Sequence, residues 1–114
     1  MKEDSILTNL ITELKRGTLT LCVLSQLTEP QYGYSLLQVL CDKQIAIEAN
    51  TLYPLLRRLE SQGLLESSWD TTEARPRKFY ALSDKGRSLL SDLAAAWREQ
   101  TSQIATLLEE ESHA

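Results

Sequence analysis

Four leucines set the terms on which this chain folds. Leu52, Leu55, Leu56 and Leu59 follow steps of three, one and three. At about 100° per residue they form a stripe about 100° wide, the width that docks a helix on a core. The opposite side carries Asn50, Pro54, Arg57 and Ser61, flanked by Thr51, Tyr53 and Arg58. Pro54 lacks the N–H that a helix interior needs, which sets the helix start at about Glu48 to Asn50. Gly63 follows as a stop. The segment is a helix with one face for a core and a polar, basic face for something else.

The flanking sequence supplies the rest of a small helical domain. Ile6, Leu7, Leu10, Ile11 and Leu14 recur at helical spacing, so Ser5 to Arg16 reads as an amphipathic helix with Ser5 near its cap. Gly17 interrupts without necessarily ending it. Thr18 to Leu27 is apolar on almost every side, the mark of a helix within a core or an interface, and Thr28-Glu29-Pro30 stops it. Tyr32-Gly33-Tyr34 leads into a short helix, Ser35 to Cys41, with Leu36, Leu37 and Leu40 on its apolar face. Leu64 to Trp69 and Arg77 to Leu82 read as strands, since Leu64, Leu65, Trp69, Phe79 and Tyr80 suit a pleated surface. The polar stretch Asp70 to Pro76 makes them a hairpin with a mobile tip. Ser83 caps a long helix with Asp84 in its first turn, running to about Glu110.

Composition excludes several classes. A chain of 114 residues holds one domain, and 42% hydrophobic with 25% charged residues is ordinary for a globular protein. No apolar run approaches the roughly 20 residues of a membrane span, and Met1 to Ser5 shows no secretory signal, so a cytoplasmic protein is expected. Cys22 and Cys41 lie in helical patterns and are expected to be buried and reduced. Catalytic parts are missing. The only histidine, His113, is one residue from the end of the chain; Glu109-Glu110-Glu111 reads as a solvated helix end. Neither a zinc-ligand spacing nor a glycine-rich phosphate loop occurs. Hence no enzyme, metal or cofactor is expected.

Net charge is −4, yet it is unevenly spread. Residues 1–42 carry −2, residues 43–87 carry +2 and residues 88–114 carry −4. The positive charge sits on the helix face described above and on the hairpin, where Arg75, Arg77 and Lys78 cluster. Three helices, a two-stranded hairpin and a further helix compose a winged helix-turn-helix: mainly α, with a two-stranded β wing and a long C-terminal dimerisation helix. Its polar helix face fits the major groove of duplex DNA, and the wing adds backbone contacts. A winged-helix module that grips another protein without touching DNA is the alternative.

Motif by motif, the chain resembles the PadR family of bacterial transcriptional regulators. Arg16-Gly17-Thr18-Leu19 is similar to the start of that family's first core helix, and Tyr32-Gly33-Tyr34-Ser35-Leu36 to its tyrosine-glycine-tyrosine segment. Asn50 to Glu60 with Gly63-Leu64-Leu65 resembles its recognition helix, and Arg77 to Ser83 with Gly86 its second wing strand. The likeness spans about Leu14 to Trp97. Ala49 and the glycine-free Asp70 to Pro76 depart from the family pattern.

The resemblance implies a dimeric repressor that binds a palindromic operator. Its winged helix-turn-helix would comprise residues 1–83 and its dimerisation helix and acidic tail residues 84–114, as one structural unit. The DNA-contacting residues would be Tyr34, Asn50, Thr51, Tyr53, Pro54, Arg57, Arg58, Arg75, Arg77 and Lys78. Lys78 has a second reading, its stem packed beside Tyr80 and its charge incidental. Leu90, Leu93, Trp97, Ile104 and Leu107 form the expected dimer seam, joined by Leu7 and Leu10. A seam on so long a helix would stay wet in a monomer. Some relatives stack flat aromatic drugs on a tryptophan of this helix, which makes Trp97 a candidate contact for a small aromatic effector; the alternative is that its ring simply fills the interface. Ala94, Ala95 and Ala96 leave room beside it, and Glu99 would favour a cationic ligand.

Overall fold

A computed structural model describes the backbone of residues 2–113 and the side chains of residues 4–110. The side chains of Glu111 and His113, read above as terminal and solvated, lie outside the described residues. The elements in order are α1 (Lys2–Arg16), α2 (Leu19–Ser25), β1 (Gln31–Tyr32), α3 (Gly33–Asp42), α4 (Ala49–Ser61), β2 (Leu65–Asp70), β3 (Arg77–Leu82) and α5 (Asp84–His113). The strands form one antiparallel sheet in the order β1-β3-β2. None of the described helices is long and apolar enough to cross a membrane.

The leucine stripe of α4 is the centre of the core. Leu52, Leu56 and Leu59 are essentially inaccessible and Leu55 nearly so; they pack with Val23, Leu24 and Leu27 from α2 and its exit and with Leu36 and Leu40 of α3. Leu65, Tyr80 and Leu82 close the core from the sheet. Both helices of the helix-turn-helix end alike. The Leu64 amide donates to the Leu59 carbonyl at 3.0 Å around Gly63, whose φ is 78°, and the Ile45 amide donates to the Leu40 carbonyl at 2.8 Å around Gln44, whose φ is 66°. These left-handed residues stop each helix and turn the chain. Glycine takes this shape freely and glutamine does not.

Ser83 caps α5 as expected. Its hydroxyl accepts from the Gly86 amide at 3.0 Å and donates to the Gly63 carbonyl at 2.6 Å, so a single side chain joins the end of α4 to the start of α5. Gly86 admits no side chain there, because a Cβ would stand 2.1 Å from the Leu64 carbonyl oxygen.

Several expectations need correction. Ser5 lies inside α1, which begins at Lys2, so it caps nothing. Gly17 does separate two helices: α1 ends at Arg16 and α2 begins at Leu19. The hairpin gains a third strand, because Gln31 and Tyr32 pair with Tyr80 and Phe79. Strand β2 begins one residue later than read, since the Leu64 amide closes α4 and its carbonyl accepts from Ser83. The cysteines are not both buried: Cys22 is half-buried and Cys41 exposed, both thiols being free.

Much apolar surface stays uncovered. On α1, Ile6, Leu7, Leu10 and Leu14 are each more than half exposed; on α5, so are Leu107 and Leu108. Leu90 and Leu93 behave differently from the rest of the expected seam, because they pack on the chain's own core. The chain measures 62 × 37 × 22 Å with a radius of gyration of 17.2 Å, against about 13 Å for a compact domain of this length.

Candidate nucleic-acid interface

The exposed face of α4 presents Asn50, Thr51, Pro54, Arg57 and Arg58, while Tyr53 is half-buried at its edge. The side chains of Arg57, Arg58 and the wing's Arg75 make no hydrogen bond or ion pair among the described residues. Unpaired guanidiniums on an exposed surface are free to take anionic partners. Tyr53 also fixes the neighbouring helix, because a Cβ on Gly33 would meet its ring at 2.6 Å. Only a residue without a side chain lets α3 start so close to α4.

One residue beyond Gly33, Tyr34 projects outward, and its hydroxyl accepts from Arg77 Nη1 at 2.8 Å. Helix α4, the start of α3 and the wing are therefore joined side by side through Tyr53, Gly33, Tyr34 and Arg77. Beneath Arg77 the base of the wing is locked. Its guanidinium lies 4.6 Å from the centre of the Tyr32 ring, which stacks on Tyr34 at 5.7 Å and meets Phe79 edge-on at 6.0 Å. Arg77 Nη2 also pairs with Glu73 at 3.1 Å. Burial works against the charge on Arg77, but Glu73 and the two tyrosines outweigh it and hold its pKa above the ordinary value.

The Tyr32 hydroxyl donates to Asp70, which accepts in addition from the Thr72 hydroxyl at 2.7 Å and the Thr72 amide at 3.0 Å. These donors, Tyr32 foremost, pull the Asp70 carboxyl from 3.8 down to about 2. The same bond, with desolvation, raises the Tyr32 phenol. The tip expected to be mobile thus carries its own hydrogen bonds. Behind it, Lys78 bonds to Glu60 at 3.2 Å and lies 5.2 Å from the Tyr80 ring centre. Glu60 is held below the usual carboxylate range, first by the Ser67 hydroxyl and then, against desolvation, by Lys78. The second reading of Lys78 took its charge as incidental, but it is the ammonium that meets both Glu60 and the Tyr80 ring.

Sequence reading named Tyr34, Arg77 and Lys78 but gave no role to Tyr32, Gly33, Glu60, Asp70 or Glu73. Tyr32 and Gly33 belong to the tyrosine-glycine-tyrosine segment, but Asp70, Arg77 and Tyr53, which they meet, lie about 20–45 residues away in sequence, where no local pattern points.

Trp97, 44% exposed, lines a cavity of about 450 Å³ between α2, α4 and α5. Leu93 and Ala96 line it from α5 and Leu21 from α2, but the charged lining residue is Arg58 of α4; Glu99 does not line it. Ile104 and Leu107 lie further along the exposed end of α5.

The Transcriptional regulator PadR-like family matches residues 20–92, more than half of the chain. The chain belongs to this family. A PadR family transcriptional regulator from Eggerthella lenta superposes with a TM-score of 0.92 at 51% identity, covering 96% of this chain and 97% of that one. A PadR-like transcription factor from Bacteroides fragilis gives 0.72 at 35% identity, over 87% and 98% of the two chains. A transcriptional regulator of Mycobacterium tuberculosis is 30% identical across 81% of this chain and 87% of its own. PadR-like proteins are transcriptional regulators that bind DNA, not enzymes.

The wing-base lock has a pH signature. Because the Asp70 carboxyl lies lower in the folded chain than its ordinary 3.8, its stabilising contribution is complete above about pH 4 and is lost as the pH falls towards about 2. With Trp97→Phe leaving Trp69 as the sole tryptophan reporter beside Asp70, acid titration is expected to give an emission step in that range. Asp70→Asn is expected to remove the step.

Proposed function

We propose that this PadR-like chain binds duplex DNA as a homodimer, acts as a repressor, and leaves its operator when a small aromatic effector binds. The observation that carries the DNA reading is the continuous surface from α4 to the wing, with the side chains of Arg57, Arg58 and Arg75 free of partners among the described residues. In this reading Asn50, Thr51, Tyr53, Pro54 and Arg57 face base edges, while Tyr34, Arg58, Arg75, Arg77 and Lys78 serve the phosphate backbone. Arg57→Ala is expected to cost about 1–3 kcal/mol of binding and to relax preference at one base position. Anisotropy titrations on duplexes varied base by base measure both. Affinity for random duplex that does not fall with salt would instead favour the protein-binding alternative.

Uncovered side chains support the homodimer. Leu7 and Leu10 on α1, with Ile104 and Leu107 on α5, are left 43–63% exposed among the described residues, and a second copy would cover them symmetrically. Residues 1–83 would then serve DNA and residues 84–114 assembly. Since Leu93 helps pack its own core, the clean test is Leu107→Asp, which places a charge on the exposed seam alone. Sedimentation is expected to give a dimeric wild type at micromolar concentration and a folded monomer for the variant, with operator affinity lost. A monomeric wild type would refute the dimer.

For the effector, the support is the cavity that Trp97 shares with Arg58. A flat molecule stacked on the indole would touch the recognition helix itself, and an anionic group on it would suit Arg58 better than a cationic one. Release requires that the ligand prefer the DNA-free geometry. In a Trp69→Phe background, micromolar planar dyes are expected to quench Trp97 and lower duplex affinity. Quenching that persists in Trp97→Ala would return the indole to a packing role.

A further inference from the structure

We propose that Glu73 is an intramolecular competitor for Arg77, occupying the position a DNA phosphate would take and so weakening the wing's hold on duplex of any sequence. The inference rests on the DNA-binding reading above and concerns a residue to which that reading gives no part.

Arg77 is the wing arginine whose guanidinium is engaged within the chain. Nη1 is taken by the Tyr34 hydroxyl at 2.8 Å, the face of the guanidinium by the Tyr32 ring at 4.6 Å, and Nε is buried without a partner. These contacts fix the fork and leave the Nη2 edge to meet an outside anion. Glu73 stands at that edge, its carboxylate 3.1 Å from Nη2, with its side chain 66% exposed against 30% for Arg77. Carboxylate and phosphate are alternative ligands for the same guanidinium donors. A phosphate arriving at the wing must therefore displace Glu73, and the displaced carboxylate, tethered on the same loop, stays close enough to repel it. Since the ion pair is exposed it is weak, so the exchange is possible but not free. Arg57, Arg58 and Arg75 have no such competitor among the described residues.

The effect falls on every sequence alike, because phosphates carry no base identity. Glu73 would thereby hold down binding to bulk DNA, and leave discrimination to the face of α4.

The test is a double-mutant cycle in full-length protein, read by anisotropy on a labelled random-sequence duplex over a salt series. Glu73→Gln is expected to tighten binding about two- to five-fold, the range of an exposed ion pair. It should also steepen the log–log salt dependence by up to about one unit, as one more phosphate is neutralised. In an Arg77→Gln background the same change is expected to do almost nothing. An equal gain in both backgrounds would mean that Glu73 acts only as distant negative charge, and overturns the proposal. No gain in the wild-type background overturns it also. A wild type that fails to bind duplex at any salt overturns the DNA-binding reading and this proposal together, whereas binding that Glu73→Gln leaves unchanged overturns this proposal alone.

Discussion

Everything in this chain is arranged around the burial of one side of α4. Each fully buried leucine contributes about 1.5–3 kcal/mol of transfer free energy, and the stripe places four of them at one junction of α2, α3 and the sheet. That burial fixes the rotation of the helix about its axis. With Leu52, Leu55, Leu56 and Leu59 held inward, Asn50, Pro54 and Arg57 have no direction but outward. The composition of the exposed face is then free to serve recognition, since it contributes little to holding the fold.

The wing is held by different physics. Its base has a modest apolar contribution and relies on a linked set of polar and aromatic contacts: Asp70 to Tyr32, Tyr32 to Arg77, Arg77 to Tyr34 and Glu73, with Lys78, Glu60 and Ser67 behind. Such networks set orientation more than they add stability, because each exposed pair is weak alone. The core therefore decides that the domain folds, and the network decides the angle at which the hairpin leaves it.

Helical periodicity made most of this legible beforehand. The α4 stripe, its polar face, the Gly63 stop, the Ser83 cap and the bounds of β3 follow from spacing and residue type, and each is found where those rules put it. What escaped was long-range. The two residues of β1 are too short a run to show a pattern, and pair only because β3 passes beside them. The cavity lined by both Arg58 and Trp97 brings in residues far apart in sequence, and the Tyr32 and Glu60 partners depend on how the hairpin folds back. Local exposure was misjudged at Cys41 because an apolar pattern says that a helix has an inner face, not where its last turn leaves the core. The seam reading of α5 mixed two roles for the same reason: Leu90 and Leu93 obey the spacing of Ile104 and Leu107, but they reach the core and the latter do not.

The contact between Gly33 and Tyr53 has a consequence for how such a chain can change over time. A Cβ at position 33 would stand 2.6 Å from the Tyr53 ring, so the two positions are not independent letters of the sequence. A chain that acquired alanine at 33 would need a smaller residue at 53 to keep the helix spacing. Losing the aromatic ring would in turn alter the surface beside Tyr34 and Arg77. Substitution at a glycine that touches no ligand would thus be carried, through packing alone, to the face that meets the partner, and the two sites are expected to drift together or not at all.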